Sequence, residues 1–181
     1  MDDFDIGKVK EIGASGKAWM GYNSRNIADL LFEELEHAEN SIQISSFSIG
    51  NDTDVLNRFF ELLEKKLKDT TFEISMIVNN DGKKNSHNSF AQNKINELKH
   101  NYPEQFFAEF FNQTKIGNLH KTLHAKIIVI DGTTALVGSA NLSKGALEAS
   151  YEIMLKVTGT VAIDLSQMLH KLLNDIGKKI A

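Results

Sequence analysis

The chain has 181 residues, of which 41% are hydrophobic and 24% charged, and it contains no cysteine. This length suits one well-buried domain spanning residues 1–181, and the lack of cysteine excludes disulfide bonds and thiolate metal sites. The formal net charge of −4 argues against a protein that coats nucleic acid non-specifically, although it is compatible with a local basic cleft.

The amino-terminal region gives few structural indications. Met1–Asp5 is acidic and lacks the apolar core of a signal peptide. No run in the chain approaches the roughly 20 apolar residues that span a bilayer, so we expect a cytoplasmic protein without a transmembrane segment. Gly13–Lys17 lacks the full spacing of a phosphate-binding loop and is interpreted as a turn. Trp19–Tyr22 is compatible with a short strand or with packing under the domain.

Helical and strand patterns alternate through the first half of the chain, which predicts a mixed, mostly parallel α/β sheet flanked by helices on both faces. The serines Ser45, Ser46 and Ser48 lie near the end of the first of these strands, where they could approach a phosphate or simply fill the strand. The predicted elements are a helix from a cap at Asn23 or Ser24 to about Asn40, a strand Ser41–Ile49, a helix at about 54–69 and a strand Phe72–Val78.

A polar, locally basic loop is predicted at residues 79–88. Lys83, Lys84 and His87 in this loop are candidates for contacting substrate beyond a scissile phosphate, and a solvated loop is the alternative. A helix at about 89–101 follows, and it ends before Pro103. The four phenylalanines at 106, 107, 110 and 111 favour core packing or a subunit contact over base stacking.

The most informative stretch is a predicted hairpin. The β-branched run 126–130 predicts a buried strand, Asp131-Gly132 predicts a tight turn, and 134–138 predicts the returning strand. Side chains alternate along a strand, so His124 and Lys126 share one side, as Ser139 and Asn141 do on the second strand. The hairpin therefore brings an imidazole, an ammonium, a hydroxyl and a carboxamide to one patch.

These groups indicate phosphoryl chemistry. An imidazole is partly unprotonated at neutral pH and can act as nucleophile or base, while Lys126, Ser139 and Asn141 offer hydrogen-bond donors that suit a phosphoryl group. His120 and His124 are four residues apart on a strand-like run, so they are not placed as a zinc pair. The patch predicts metal-free phosphoryl transfer with His124 as the attacking group and no cofactor.

The pattern His124-x-Lys126-x4-Asp131-x6-Gly138-Ser139-x-Asn141 resembles the HKD signature of the phospholipase D superfamily. The resemblance is sharp over residues 120–157 and extends to Glu152, which falls where the family places an acidic residue. It implies a phospholipase D-like fold with one HKD motif at 120–152. It also implies two motifs facing each other across a pseudo-two-fold axis, where one histidine attacks phosphorus and the other protonates the leaving oxygen, without a metal.

The resemblance also assigns roles to single residues. Lys126 and Asn141 would bind phosphate and Ser139 would support the site, whereas Asp131 would be structural and hold the turn. Glu152 would accept a hydrogen bond from the second imidazole nitrogen and orient the ring. Outside the signature, Lys144 could reach a phosphate or face water.

The sequence has no second H-x-K pattern, so the chemistry predicts a homodimer with a shared active site. The short single-motif members of the family are dimeric nucleases, and the resemblance therefore implies a metal-independent endonuclease acting on nucleic acid, for which we expect DNA rather than RNA while the sequence leaves that choice open. It would act alone or within a larger restriction or defence assembly. The alternatives are a phospholipase or phosphatidyltransferase and a catalytically silent module, which the intact signature disfavours. A last strand, Tyr151–Thr158, and a helix at about 161–178, whose apolar stripe is core or dimer surface, complete the predicted fold.

Overall fold

The structure is a computed structural model that describes residues 7–19, 21, 23–80, 89–112, 114–116 and 119–177. Within these residues the chain forms ten strands and four α-helices. In chain order they are β1 (Lys8–Ala14), β2 (Arg25–Asn26), α1 (Ile27–His37), β3 (Ser41–Ser46), α2 (Asp54–Leu67), β4 (Glu73–Asn80), α3 (Ser89–Asn101), β5 (Phe106–Asn112), β6 (Thr114–Ile116), β7 (Leu119–Lys121), β8 (Ile127–Ile130), β9 (Thr134–Gly138), β10 (Ile153–Thr158) and α4 (Thr160–Gly177).

Eight strands form one sheet in the order β2-β1-β10-β9-β8-β3-β4-β5, and β6 pairs with β7 in a separate hairpin. The predicted mixed α/β sheet is confirmed. The expectation that it is mostly parallel needs correction, because four of the seven pairings described in this sheet are antiparallel. The β8–β9 hairpin reverses the chain through residues 131–133, whereas β3, β4 and β5 pair in parallel and are connected through the helices α2 and α3.

Both faces of the sheet are covered by helices, as predicted. Along β8, Ile128 and Ile130 belong to the main core with α1, α2 and α3, whereas Ile127 and Val129 belong to a second cluster that contains Ala162 and Leu169 of α4. Burial of successive residues explains why this strand is apolar without interruption.

The structure corrects several predicted boundaries. The amino-terminal strand β1 was not predicted; it has a bulge between Val9 and Glu11, which disrupts its period. Helix α1 begins after Asn26, whose Oδ1 accepts a hydrogen bond from the N–H of Ala28 at 2.8 Å. Strand β3 ends at Ser46, and Ile49 makes only an isolated bridge to Leu142.

The predicted hairpin is confirmed, with β8 and β9 in antiparallel register and Ile127 opposite Val137. Helix α4 is also confirmed and contacts strands from β10 across to β5. Among the described residues, no helix combines the length and hydrophobicity needed to cross a membrane.

Candidate active site

Five of the predicted site residues, His124, Lys126, Ser139, Asn141 and Glu152, lie at one edge of the sheet, where β3 and β9 end and β8 and β10 begin. The N–H of Gly138 donates to the carbonyl of Lys126 at 3.3 Å, and the N–H of Ser139 donates to the carbonyl of Ile153 at 2.9 Å. These two bonds align the segments that carry His124, Lys126, Ser139 and Glu152.

His124 and Lys126 are in direct contact, as alternation predicts. The Nζ atom of Lys126 lies 3.0 Å from Nδ1 and 3.3 Å from Nε2 of His124, and it donates to the carbonyl of His124 at 2.8 Å. An ammonium has no lone pair, so a ring nitrogen that accepts from it must be unprotonated. The contact therefore places the ammonium directly beside a side chain that can act as a nucleophile.

Phe47, which the sequence did not indicate as a site residue, packs against this pair. Its ring centroid lies 4.8 Å from that of His124, with the planes at 48°, and 5.4 Å from Nζ of Lys126. The aromatic face restricts the imidazole and attracts the ammonium. Phe47 follows Ser45 at strand spacing, and this alternation is the signal that could have placed it at the site.

Lys126 is a buried residue, only 7% exposed, and its burial affects the pKa of its side chain. Desolvation lowers the pKa of Lys126 below its ordinary value, and the negative charge of Glu152 partly opposes this shift. An ammonium with little water around it interacts strongly with an incoming anion.

Glu152 accepts a hydrogen bond from the hydroxyl of Ser139 within one chain. The hydroxyl oxygen in turn accepts from the N–H of Ile153 at 3.2 Å. These contacts agree with a supporting role for Ser139. The predicted role of Glu152 in orienting an imidazole stays a prediction.

Asn141 has a buried Oδ1 atom without a hydrogen-bond partner among the described residues. Such an atom is costly unless a ligand or water satisfies it. Rotation of the carboxamide exchanges its oxygen and nitrogen, so the same side chain can present an N–H donor to a phosphate oxygen.

Two local features fix the approach of the chain to this edge. A Cβ atom on Gly138 would lie 2.0 Å from the carbonyl oxygen of Ile153, so only glycine allows β9 to approach β10 here. The hydroxyl of Ser15 contacts the carbonyls of Ala146 and Ser150 at 2.8 and 2.6 Å, and its N–H donates to the carbonyl of Glu152 at 3.1 Å. The end of β1 thus supports the segment leading to Glu152, a long-range role that the sequence does not reveal.

Asp131 lies at the far end of β8 from His124. Its carboxylate accepts hydrogen bonds from the N–H groups of Glu39, Asn40 and Ser41 at 2.9, 2.7 and 2.8 Å. Its own N–H donates to the carbonyl of Ser41 at 3.0 Å. This placement agrees with a structural role, and the carboxylate joins the hairpin to the connection between α1 and β3.

The predicted substrate-binding lysines are only partly described. The Nζ of Lys144 lies 2.9 Å from Oδ1 of Asp54, which raises the pKa of Lys144. The side chain is thus engaged at the start of α2. Lys83, Lys84 and His87 lie outside the described residues.

A separate cleft of about 690 Å³ lies between α4 and the first halves of β3 and β4, and it is lined by Gln43, Ser75, Phe107 and His170 among others. It faces the end of the sheet opposite to His124 and contains none of the predicted catalytic residues. Within the part of the chain that the structure describes, no group of three or more His, Cys, Asp or Glu side chains could hold a metal ion.

Comparisons with known proteins agree with this architecture. A profile of the family described as "Cardiolipin synthase, PLD-like domain" matches residues 31–176, which is more than half of the chain. No match was found among curated protein sequences.

Several solved structures are similar in fold. NucT from Helicobacter pylori has a TM-score of 0.68 at 20% identity, covering 94% of this chain and 97% of NucT. The phospholipase D family member Nuc from Salmonella typhimurium has a TM-score of 0.60 at 15% identity, with 95% of both chains covered. Phosphatidylserine synthase from Haemophilus influenzae Rd KW20 has a TM-score of 0.65 at 12% identity, covering 94% of this chain but only 38% of the synthase.

Proposed function

Because the chain belongs to the phospholipase D-like domain family, in which its HKD-like signature had placed it, we propose that it is a phosphodiesterase whose nucleophile is His124. The observation that carries the proposal is the contact between Lys126 Nζ and the His124 ring, at 3.0 Å from Nδ1. It joins a nucleophilic side chain to a poorly solvated cation beside the Ser139–Glu152 pair.

The proposed reaction has two displacements at phosphorus. A nitrogen of His124 attacks the phosphodiester and forms a phosphorus–nitrogen bond, while the bond to the leaving oxygen breaks and a second imidazole gives that oxygen a proton. Water then attacks the phosphohistidine, the second imidazole takes its proton, and His124 is released. Lys126 and Asn141 hold the non-bridging oxygens, so the mechanism requires neither metal nor cofactor.

The second imidazole is supplied by a second copy of the chain, since one copy has one HKD motif. The distribution of exposed apolar side chains supports such a homodimer. Ile12 and Ile153 are 45% and 41% exposed, and the register of β1 with β10 places both on one sheet face. Beside them, the exposed Trp19 and Tyr151 pack edge to face at 5.2 Å. Tyr151 and Ile153 flank Glu152 in the sequence, so this apolar surface lies near the proposed site and suits a contact with a second copy.

We propose that the substrate is nucleic acid, with DNA favoured over RNA, and that the enzyme is an endonuclease. The proposal is supported by the match to NucT and Nuc, since the chain aligns with nearly the whole of both structures. Participation in a larger restriction or defence assembly stays a prediction.

A phospholipase or phosphatidyltransferase is the second candidate. The matched family is described for cardiolipin synthase, and the fold is shared with a phosphatidylserine synthase. This chain covers only 38% of that synthase.

The test is cleavage of plasmid DNA and of a panel of single- and double-stranded DNA and RNA in the presence of EDTA. We expect cleavage by the wild-type protein and none by His124→Ala. Strict dependence on added magnesium would contradict the mechanism. Release of head groups from phosphatidylcholine vesicles, with every nucleic acid left intact, would select the second candidate.

A further inference from the structure

The segment that carries His124 has no secondary structure of its own. Strand β7 ends at Lys121 and β8 begins at Ile127, and the residues between them belong to neither a helix nor a strand. A nucleophile must be held in a narrow range of positions to react efficiently. The segment therefore needs anchors from elsewhere in the fold.

One anchor is Asn79, near the carboxyl end of β4 and only 1% exposed. Its Oδ1 accepts hydrogen bonds from the hydroxyl of Thr122 at 2.9 Å and from the N–H of Leu123 at 3.2 Å. A backbone N–H can only donate, so the bond to Leu123 fixes which end of the carboxamide faces the segment.

The Nδ2 of Asn79 is buried and has no partner among the described residues. A buried amide with an unpaired donor is costly for the fold. The two bonds to Oδ1 are therefore the hydrogen bonds that this side chain contributes among the described residues.

A second anchor, Ser45, acts on the other side of the nucleophile. It lies near the carboxyl end of β3, it is 1% exposed, and its hydroxyl donates to the carbonyl of Ala125 at 3.2 Å. Strands β3 and β4 are parallel neighbours, with Ser45 opposite Ile77. One anchor thus holds the residue before His124 and the other holds the residue after it.

We infer that Asn79 and Ser45 are positioning residues, which clamp the backbone on both sides of His124 so that its ring stays against Lys126 and Phe47. The inference rests on the proposed function, because it assumes that His124 reacts. The clamp acts by pre-organisation: it keeps the imidazole at one place before substrate arrives.

The first test compares Asn79→Ala with Asn79→Asp in the hydrolysis of bis(4-nitrophenyl) phosphate, a phosphodiester that both candidate functions accept. We expect Asn79→Ala to lower kcat by about tenfold to a hundredfold and to leave KM nearly unchanged. Asn79→Asp keeps an acceptor at the same position and should restore most of the loss. Ser45→Ala should also lower kcat, and it replaces Asn79→Ala in this test if that variant does not fold.

The matched control is Gln105→Ala. The Nε2 of Gln105 donates to the carbonyls of Asp69 and Phe72 at 2.5 and 3.1 Å, at the opposite end of the sheet. Its loss should lower Tm without changing kcat. If Asn79→Ala and Ser45→Ala behave like this control, with Tm lowered and kcat retained, the clamp is refuted.

A second measurement does not depend on activity. Hydrogen exchange at the amide of Leu123 should become at least about tenfold faster in Asn79→Ala, because its hydrogen bond is lost, and it should be unchanged in Gln105→Ala. If the wild-type protein hydrolyses no phosphodiester, the proposed function fails, and this exchange rate alone decides whether the clamp exists. An unchanged rate would refute it.

Discussion

The two ends of β8 differ in how completely their polar groups are satisfied. At the far end, the carboxylate of Asp131 accepts three backbone hydrogen bonds. At the near end, Asn141 has a buried oxygen without a partner among the described residues, and Lys126 is a buried cation. One short strand thus joins a carboxylate with three backbone donors to an end where a buried amide oxygen has no partner among the described residues.

The largest expected effect on activity comes from a substitution of Asn141, at the end of β8 near His124. Asn141→Ala should lower kcat by about 10²–10³-fold, the cost of removing one donor to a transition-state oxygen. The free energy of unfolding should hardly change, because Oδ1 accepts no hydrogen bond that the variant would break among the described residues. Urea denaturation and steady-state kinetics on the same preparation measure both quantities. A large loss of stability with full activity would reverse the assignment.

The opposite pattern, a loss of stability with activity retained, is expected at Asp131. Asp131→Ala should lower the free energy of unfolding by about 2–3 kcal/mol, because three backbone donors lose a charged acceptor, partly replaced by water. The kcat of the folded fraction should stay close to that of the wild type. The control is Asp69→Ala, in which a carboxylate that caps only the nearby Thr71 is lost. We expect a smaller loss of stability there, and an equal loss would argue against a special role for Asp131.

A third prediction extends the comparison to the proposed dimer. Ile12→Glu should weaken self-association by at least about tenfold, because a charge would replace an apolar contact. Activity should fall in proportion to the lost dimer. Phe107→Glu alters a side chain of matched exposure, 44% against 45%, on β5 at the other side of the sheet. Sedimentation velocity should show dissociation only in the first variant, and the reverse outcome would move the interface to β5.

The smallest effect concerns pH. Burial lowers the pKa of Lys126, so activity should decline at a lower pH than an ordinary lysine would require. Lys126→Arg keeps a cation whose pKa is far above this range, and it should move the alkaline limb of kcat/KM to higher pH. If the limb does not move, the group that titrates is not Lys126.

The free energy of unfolding should respond to pH in the opposite direction to activity: it should rise as activity falls. Between the lowered folded pKa of Lys126 and its ordinary unfolded value of 10.5, the unfolded chain binds more protons at this site. The wild type should therefore gain stability relative to Lys126→Arg as pH rises through that window. Denaturation at matched pH values checks this sign.

The two ends of β8 also show how far sequence reasoning reaches. The hairpin, α4 and the grouping of His124 with Lys126 follow from local spacing, which alternation along a strand converts into geometry. Asp131 was identified within the signature, but its partners at residues 39–41 are about 90 positions away in the chain. Asn79 and Ser45 were not identified as anchors for the same reason: they act on residues 44 and 80 positions distant. Local patterns in one sequence do not indicate which residues so far apart in the chain will form hydrogen bonds.

The bulge in β1 has a consequence for how copies of the protein can meet. The neighbouring β2 pairs only with Gly13 and Ala14, so the border formed by Lys8–Ile12 has no other strand beside it among the described residues. A bulge and two flanking lysines, Lys8 and Lys10, make this border a poor template for adding a foreign strand. Two copies that meet at this border should therefore make contact through side chains rather than by pairing strands across it.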